Sequence, residues 1–296
     1  MSVECRDKSM MRKDIGLIFH MITSQMFWVG APMVISEIIR RGHYLSIFDE
    51  ETLPSCKKLL DCDVFIDMST ITRKSFYFSL ERENLSRRSS HSRVPLMVDP
   101  PTAIINSFDK RRTHKIFSDL VPESYNLTGE CNARKLEKFK DDQFVVVKTS
   151  QGWWGVDVER LTPQQAVEKH RKSKGLIVQK YIPFEKGVGR IVTLNHGNDF
   201  EIACSYLRIP NSWRTGTDVK YKCVQEPVSR ELHQFALSVS QRCGLYLNGI
   251  DYIYNNGRYI LLEVNAVPAM KEPYDEFKID IPKRLLAHIE RNIKIK

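Results

Sequence analysis

The chain has 296 residues, enough for one large or two to three modest domains, with 42% hydrophobic and 27% charged residues as in a soluble globular protein. Its formal net charge of +9 and pI of about 9.1 favour anionic partners, but the charge is spread without a Lys/Arg tract, which disfavours nucleic acid. The seven cysteines form no CxxC pair and the eight histidines no HExxH, which fits reduced thiols better than a disulfide framework or a zinc site, and no apolar run approaches the roughly 18 residues that span a bilayer. Met1–Asp14 lacks a signal-peptide layout, and a cytoplasmic location is expected.

Ile15–Phe19 reads as a buried first strand. Pro32–Arg41 has helical periodicity and stops at Gly42, and Tyr44–Phe48 returns to strand character. Leu59–Met68 and Pro95–Val98 supply two more short buried strands, and this alternation argues a parallel α/β sheet. Between them Arg82–Arg93 is basic and Ser-rich, with little to bury, and reads as a surface loop or helix end. Pro100-Pro101 marks a boundary, after which Asn106–Leu120 reads as an amphipathic helix.

Gln143–Lys148 is a strand with a lysine at its end, followed by a loop, Thr149–Gly155, with two glycines and two tryptophans. Pro163–Ser173 is a polar helix and Leu176–Ile182 a strand. Arg190–Leu194, Phe200–Ile209 and Asp218–Val224 form an antiparallel-looking set, Arg230–Cys243 is a helix stopped by Gly244, and Pro282–Arg291 a closing helix.

The polar cargo concentrates on Ile250–Met270. Strands Gly249–Tyr254 and Arg258–Val264 are joined by Asn255-Asn256-Gly257, where Asn-Gly provides the positive φ angles of a tight hairpin. Glu263 and Asn265, two apart, share a face, and Asp251 joins them if the register allows. Two carboxylates and an amide oxygen suit a magnesium ion that also takes substrate phosphates. Spacing alone leaves open hairpin residues that face water or bond to the turn.

No GxxxxGK[ST] loop, no GxGxxG after the first strand and no GxSxG elbow is present, so nothing points to a P-loop enzyme, a dehydrogenase or an α/β-hydrolase. What remains is an ordered series of cations, Lys110, Lys148, Arg190, Arg208 and Arg214, ahead of the acidic hairpin. Such a set could stabilise charge on a transferring phosphoryl group.

In this order the residues resemble the ATP-grasp ligases, in layout bacterial glutathione synthetase and the RimK-like glutamate ligases. Asp109-Lys110 resembles the helix with the first nucleotide lysine, Val147-Lys148 the second lysine, and Gln151–Gly155, with Gly152 and Gly155, the mobile glycine flap. Gln179-Lys180-Tyr181-Ile182-Pro183 resembles the adenine hinge, read by backbone groups at Lys180 and Ile182. Arg190 resembles the arginine of the family's Asp-x-Arg or Asp-Lys-Arg segment, Arg208 and Arg214 the two later arginines near the γ-phosphate and acyl phosphate, and Asp251, Glu263 and Asn265 the metal set. The resemblance runs from about Ile105 to the C-terminus.

It implies an α/β (α+β) ATP-grasp fold, with an N-terminal domain over 1–104, a lid subdomain over 105–177 and a catalytic subdomain over 178–296. It also implies ATP, Mg2+ with Mn2+ as the alternative, and a carboxylate joined to an amine through an acyl phosphate. The expected partners are small-molecule or peptide carboxylates and amines, with a glutamate-like amino acid on a small acidic molecule preferred. Lys220, Pro268 and Lys271 are the candidate substrate contacts, and a homo-oligomer is left open. Gly189 stands where an aspartate is usual, so Glu185 is taken as the ribose partner, and Gly216 and Lys220-Tyr221 depart from the family's asparagine and glycines. These departures feed one alternative, a nucleotide-binding regulatory protein without turnover, and a ligase that modifies protein tails is a second option for the acceptor.

Overall fold

The computed structural model describes residues 13–19, 30–49, 59–68, 74–90, 94–127, 136–150, 157–173, 175–216 and 218–293. The chain divides into two compact units, residues 1–98 with 286–296, and residues 99–285. Among the described residues no helix is long and apolar enough to cross a membrane.

The first unit is a parallel sheet. Its strands are β1 (Asp14–Phe19), β2 (Tyr44–Asp49), β3 (Val64–Asp67) and β4 (Leu96–Val98), in the order β2-β1-β3-β4. Helix α1 (Gly30–Arg40) connects β1 to β2 and buries Val34 and Ile38, while β3 is buried along its whole length, as a parallel sheet covered by crossovers requires. Buried Glu37 on α1 takes both Arg40 and Arg41. Arg82–Ser89, expected as a loop or helix end, forms the second half of a long helix, α2 (Lys74–Ser89). Its composition is rich in Leu, Glu and Arg, good helix formers, and Arg87 docks on the Leu60 carbonyl and on Asp61, so a helix with little to bury still forms.

In the second unit the expected helix Asn106–Leu120 is two helices. Pro101 opens α3 (Pro101–Phe108), and α4 (Lys110–Ile116) follows after a break at Asp109, whose carboxylate caps the Arg111 N–H at 3.0 Å and holds the Arg111 guanidinium. An aspartate bonding to the backbone two residues on is a helix start, and here it ends one helix to begin another.

Strands β5 (Ser124–Leu127), β6 (Val145–Thr149), β7 (Val158–Leu161) and β8 (Leu176–Lys180) make an antiparallel sheet ordered β5-β8-β6-β7. Helix α5 (Pro163–Lys172) starts with a Thr162–Gln165 capping box and packs Ala166 onto the core of Leu127, Phe139, Val145 and Leu176. Strand β7 was not foreseen; its four residues are too short to show an alternation and are fixed by pairing with β6.

The second sheet of this unit is antiparallel, in the order β11-β10-β9-β12-β13. It comprises β9 (Val188–His196), β10 (Asp199–Pro210), β11 (Tyr221–Gln225), β12 (Leu247–Asn255) and β13 (Arg258–Asn265). Helix α6 (Arg230–Cys243) covers it with Leu232, Ala236 and Val239. The Asp99 carboxylate fixes the start of β12 by accepting from the Tyr246 and Leu247 N–H groups. Helices α7 (Lys271–Phe277) and α8 (Ile281–Asn292) end the described chain.

Candidate functional site

The hairpin forms as expected. Asn255 pairs with Arg258 around a two-residue turn, Asn256 and Gly257, with φ of 48° and 75°. Asp251 lies directly opposite Glu263, Asn265 opposite Gly249, and a bulge follows Asp251. The row continues across the sheet, because Asp251 also pairs with Arg190 on β9, and Arg190 with Tyr206 on β10. Partners in register present side chains to one face, so Glu263, Asp251, Arg190 and Tyr206 form a polar ladder across four strands. Arg208, two residues beyond Tyr206, extends it.

Charge alternates along this ladder. The buried Asp251 carboxylate takes Arg190 through two guanidinium nitrogens, one at 2.5 Å, and Arg208 stands 3.6 Å away. Burial raises the Asp251 carboxyl, but Arg190 and Arg208 outweigh it and hold it below the usual carboxylate range. Glu263 meets the Lys110 ammonium at 3.2 Å. The Asn265 amide nitrogen donates to the Gly249 carbonyl at 3.4 Å. On the adjoining position Tyr252, in register with Gly189, lays its ring where a side chain at Gly189 would be; a Cβ there would lie 2.1 Å from the ring. The tyrosine therefore occupies the space of the residue that departs from the ATP-grasp pattern.

Arg208 is 8% exposed, and its Nε and Nη2 have no hydrogen-bond partner among the described residues. Each faces a carboxylate at ion-pair distance, Nε the Glu272 carboxylate and Nη2 that of Asp251 at 3.6 Å, without closing a hydrogen bond, so both can turn to a further anionic acceptor. Beside them lies Glu272, the second residue of α7, which spacing did not single out. Its carboxylate accepts the Tyr206 hydroxyl at 2.5 Å and the Tyr221 hydroxyl at 2.6 Å, and stands 3.4 Å from Arg208 Nε. Burial raises the Glu272 carboxyl, and Arg208 with the two tyrosines overcomes it, keeping it ionised below its ordinary range.

Lys110 and Lys148 come together from α4 and β6, tied by the Lys110 N–H donating to the Ser150 carbonyl at 3.0 Å. Both are buried. Burial and then repulsion from Lys110 pull the Lys148 ammonium down to about 8, against the attraction of Glu263. His114, one helical turn after Lys110, is buried as well; burial, then Lys148 and Lys110, pull it down to about 3, so the ring is neutral. Its Nδ1 bonds to Ser124 Oγ at 2.6 Å.

The other expected residues lie apart from this ladder or use other bonds. Gln179 is buried with its amide nitrogen unpartnered among the described residues, while the Lys180 N–H donates to the Glu123 carbonyl at 2.8 Å and its ammonium pairs with Asp142. Ile182 is half-buried. Glu185 accepts the Asn256 N–H at 2.7 Å and so clasps the hairpin turn. Arg214 forms a two-nitrogen pair with Asp218, at 2.9 and 2.7 Å, Lys271 pairs with Asp275, and Lys220 is exposed. Pro268 is buried against Gly249. Gly152 and Gly155 lie outside the described residues.

The donors fit a hard divalent cation in part. Among the described residues no three His, Cys, Asp or Glu side chains cluster as a metal cage. Two carboxylates and one amide oxygen on one hairpin are instead the partial oxygen set that magnesium takes when phosphates complete its shell. Lys110, Lys148, Arg190 and Arg208 against Asp251, Glu263 and Glu272 leave an excess of positive charge, as a polyphosphate site needs.

Residues 121–289 match the RimK-like ATP-grasp domain, and the chain belongs to this family. It is 28% identical over 199 residues to the coenzyme γ-F420-2:α-L-glutamate ligase of Methanococcus maripaludis, covering 64% of this chain and 68% of that one. It is 24% identical over 253 residues to the α-aminoadipate–LysW ligase LysX of Sulfurisphaera tokodaii, covering 81% and 85%. The ATP-grasp ligase PsnB, solved with a phosphomimetic variant of its minimal precursor, Mg and ADP, superposes with a TM-score of 0.70 at 13% identity over 96% of this chain and 100% of that one. The fold is ATP-grasp, and the chain is a ligase of the class that forms C–N bonds.

Proposed function

We propose that this ligase uses ATP to activate a carboxylate as an acyl phosphate and joins it to the amine of an amino acid, glutamate-like, on a small acidic molecule or peptide. The observation that carries the reading is Arg208, buried with two donors that close no hydrogen bond among the described residues, on the same ladder as Arg190 and Asp251. In this reading Lys110 and Lys148 hold the nucleotide phosphates, Gln179, Lys180 and Ile182 border the base, and Glu185 lies toward the ribose. Asp251, Glu263 and Asn265 would hold magnesium, or manganese in the same oxygen set, which when bound neutralises phosphate charge.

Carboxylate attack on the γ-phosphorus needs no strong base, so catalysis rests on alignment and charge. Arg190 and Arg208 exchange Asp251 for the phosphoryl oxygens as charge develops, and Arg214 stands as a further cation toward the substrate, with Lys220, Pro268 and Lys271. Residues 105–177 serve as the lid and 178–296 as the catalytic half. The names of the relatives support amino-acid ligation, and PsnB's precursor favours a peptide among the acceptors to test.

Glu263→Gln with Asn265→Ala is expected to abolish ATP-dependent ligation with the thermal transition retained. Unchanged turnover in that double variant would remove the metal assignment.

A further inference from the structure

Three carboxylates border the lysines and arginines of the site, and two are committed. Asp251 is gripped by Arg190, and Glu263 meets Lys110. Glu272 is different. Its side chain is 18% exposed, its oxygens are aimed by the Tyr206 and Tyr221 hydroxyls, and the Cys223 thiol donates a weak bond to it at 3.7 Å. It stands 3.4 Å from Arg208 Nε, yet that nitrogen and Nη2 stay without a hydrogen bond among the described residues. A carboxylate serving to latch Arg208 would close those bonds. Here an anion and a cation are held side by side at ion-pair distance without a closed hydrogen bond between them, so a ligand that brings a stronger donor to Glu272 and an acceptor to Arg208 can take their place.

We propose that Glu272 binds the ammonium of the incoming amine substrate, while the open donors of Arg208 face the acyl phosphate. The assignment rests on the ligase reading and adds the recognition of the second substrate to it. Each side of the reaction centre then meets its opposite charge: the acyl phosphate anion meets Arg208, and the ammonium meets Glu272. Tyr206 and Tyr221 donate to the carboxylate, so they fix its direction without cancelling its charge.

The bound ammonium loses one proton to solvent to become the amine. Its nitrogen then attacks the acyl carbon, the C–N bond forms and the C–O bond to phosphorus breaks. Inorganic phosphate leaves with that electron pair and takes the second N–H proton as hydrogen phosphate. Glu272, held ionised, is a weak base and a good counter-ion, so it places the ammonium rather than deprotonating it.

The test compares L-glutamate, which brings an ammonium, with hydroxylamine, which is uncharged at neutral pH, as nucleophiles toward pooled N-acetylated acidic amino acids. In Glu272→Gln, KM for L-glutamate is expected to rise about tenfold or more while hydroxamate formation and KM for ATP stay within about twofold. Glu272→Asp is expected to recover part of the loss. An equal fall with both nucleophiles would mean that Glu272 acts by positioning Arg208, and no change with either would mean that it contacts no substrate; both overturn the proposal. If the unaltered enzyme yields neither ADP nor hydroxamate from any acid, the ligase reading itself fails and this assignment with it.

Discussion

Asp251 and Arg190 face each other in register across β12 and β9, and the guanidinium holds the carboxylate through two nitrogens in a buried setting. A proposed metal ligand is thus paired with a proposed phosphate contact, and each is the other's partner until a nucleotide arrives. Breaking a buried pair from one side leaves an uncompensated charge, so Arg190→Met is expected to cost about 3–5 kcal/mol in urea unfolding. Arg190→Met with Asp251→Leu should recover most of that loss, because both charges are then gone. A double variant as unstable as the single one would show that the pair is not the source of the cost.

Gly189 makes a second, purely steric prediction. The Tyr252 ring stands 2.1 Å from where a Cβ would be, so Gly189→Ala should destabilise by about 1–3 kcal/mol through overpacking of the sheet. Trimming the ring with Tyr252→Leu in the alanine background should relieve part of it. Thermal unfolding followed by circular dichroism gives the comparison, and an alanine variant as stable as the parent would contradict the packing described.

Lys148 ties nucleotide binding to pH. Its ammonium, pulled by burial to about 8 from 10.5, is charged below that value and neutral above it. ATP phosphates favour the charged form, so affinity should weaken as pH rises through 8, with a proton taken up on binding above it. The stability sign is the reverse: between about 8 and 10.5 the unfolded chain holds a proton that the folded chain has released, and this group's contribution to stability rises with pH. Lys148→Arg should flatten the binding profile. Calorimetry in buffers of different ionisation heat measures the proton directly.

Glu37 governs acid tolerance in the first unit. The Arg40 hydrogen bond, with that of Arg41 and against burial, which raises it, lowers its carboxyl from 4.5 to about 2. The stabilisation is fully present above pH 4.5 and is lost as pH falls toward 2. Because the Arg40 side chain is 60% exposed, solvent screening reduces the gain to roughly 1–2 kcal/mol. Glu37→Gln should remove that dependence from the acid unfolding curve of the full chain.

Local chemistry was readable in the sequence wherever a residue states its own geometry. Asn256-Gly257 announced the turn, Gly244 the end of α6, and the two-residue spacing of Glu263 and Asn265 their common face. Of the two readings of Arg82–Arg93, loop or helix end, the structure has the helix end over Arg82–Ser89, a choice that composition left open because the anchor at Leu60 and Asp61 is set by the fold. The break at Asp109 looked like helix interior because an aspartate caps only when the chain around it leaves the helix. Glu272 and His114 could not be read at all. Their partners Tyr206, Tyr221 and Ser124 come from other elements, and only the tertiary arrangement makes one a held anion and the other a neutral ring.

The central claim is that a carboxylate is activated by the γ-phosphate of ATP and passed to an amine. It is tested most directly by incubating the protein with ATP, magnesium, pooled amines and acids whose carboxylates carry heavy oxygen, then following nucleotide and phosphate by mass spectrometry. The account predicts ADP release that requires both acid and amine, a product with the mass of acid plus amine less water, and one heavy oxygen transferred into inorganic phosphate. Release of AMP, or ATP bound without any acid-dependent turnover, would contradict it.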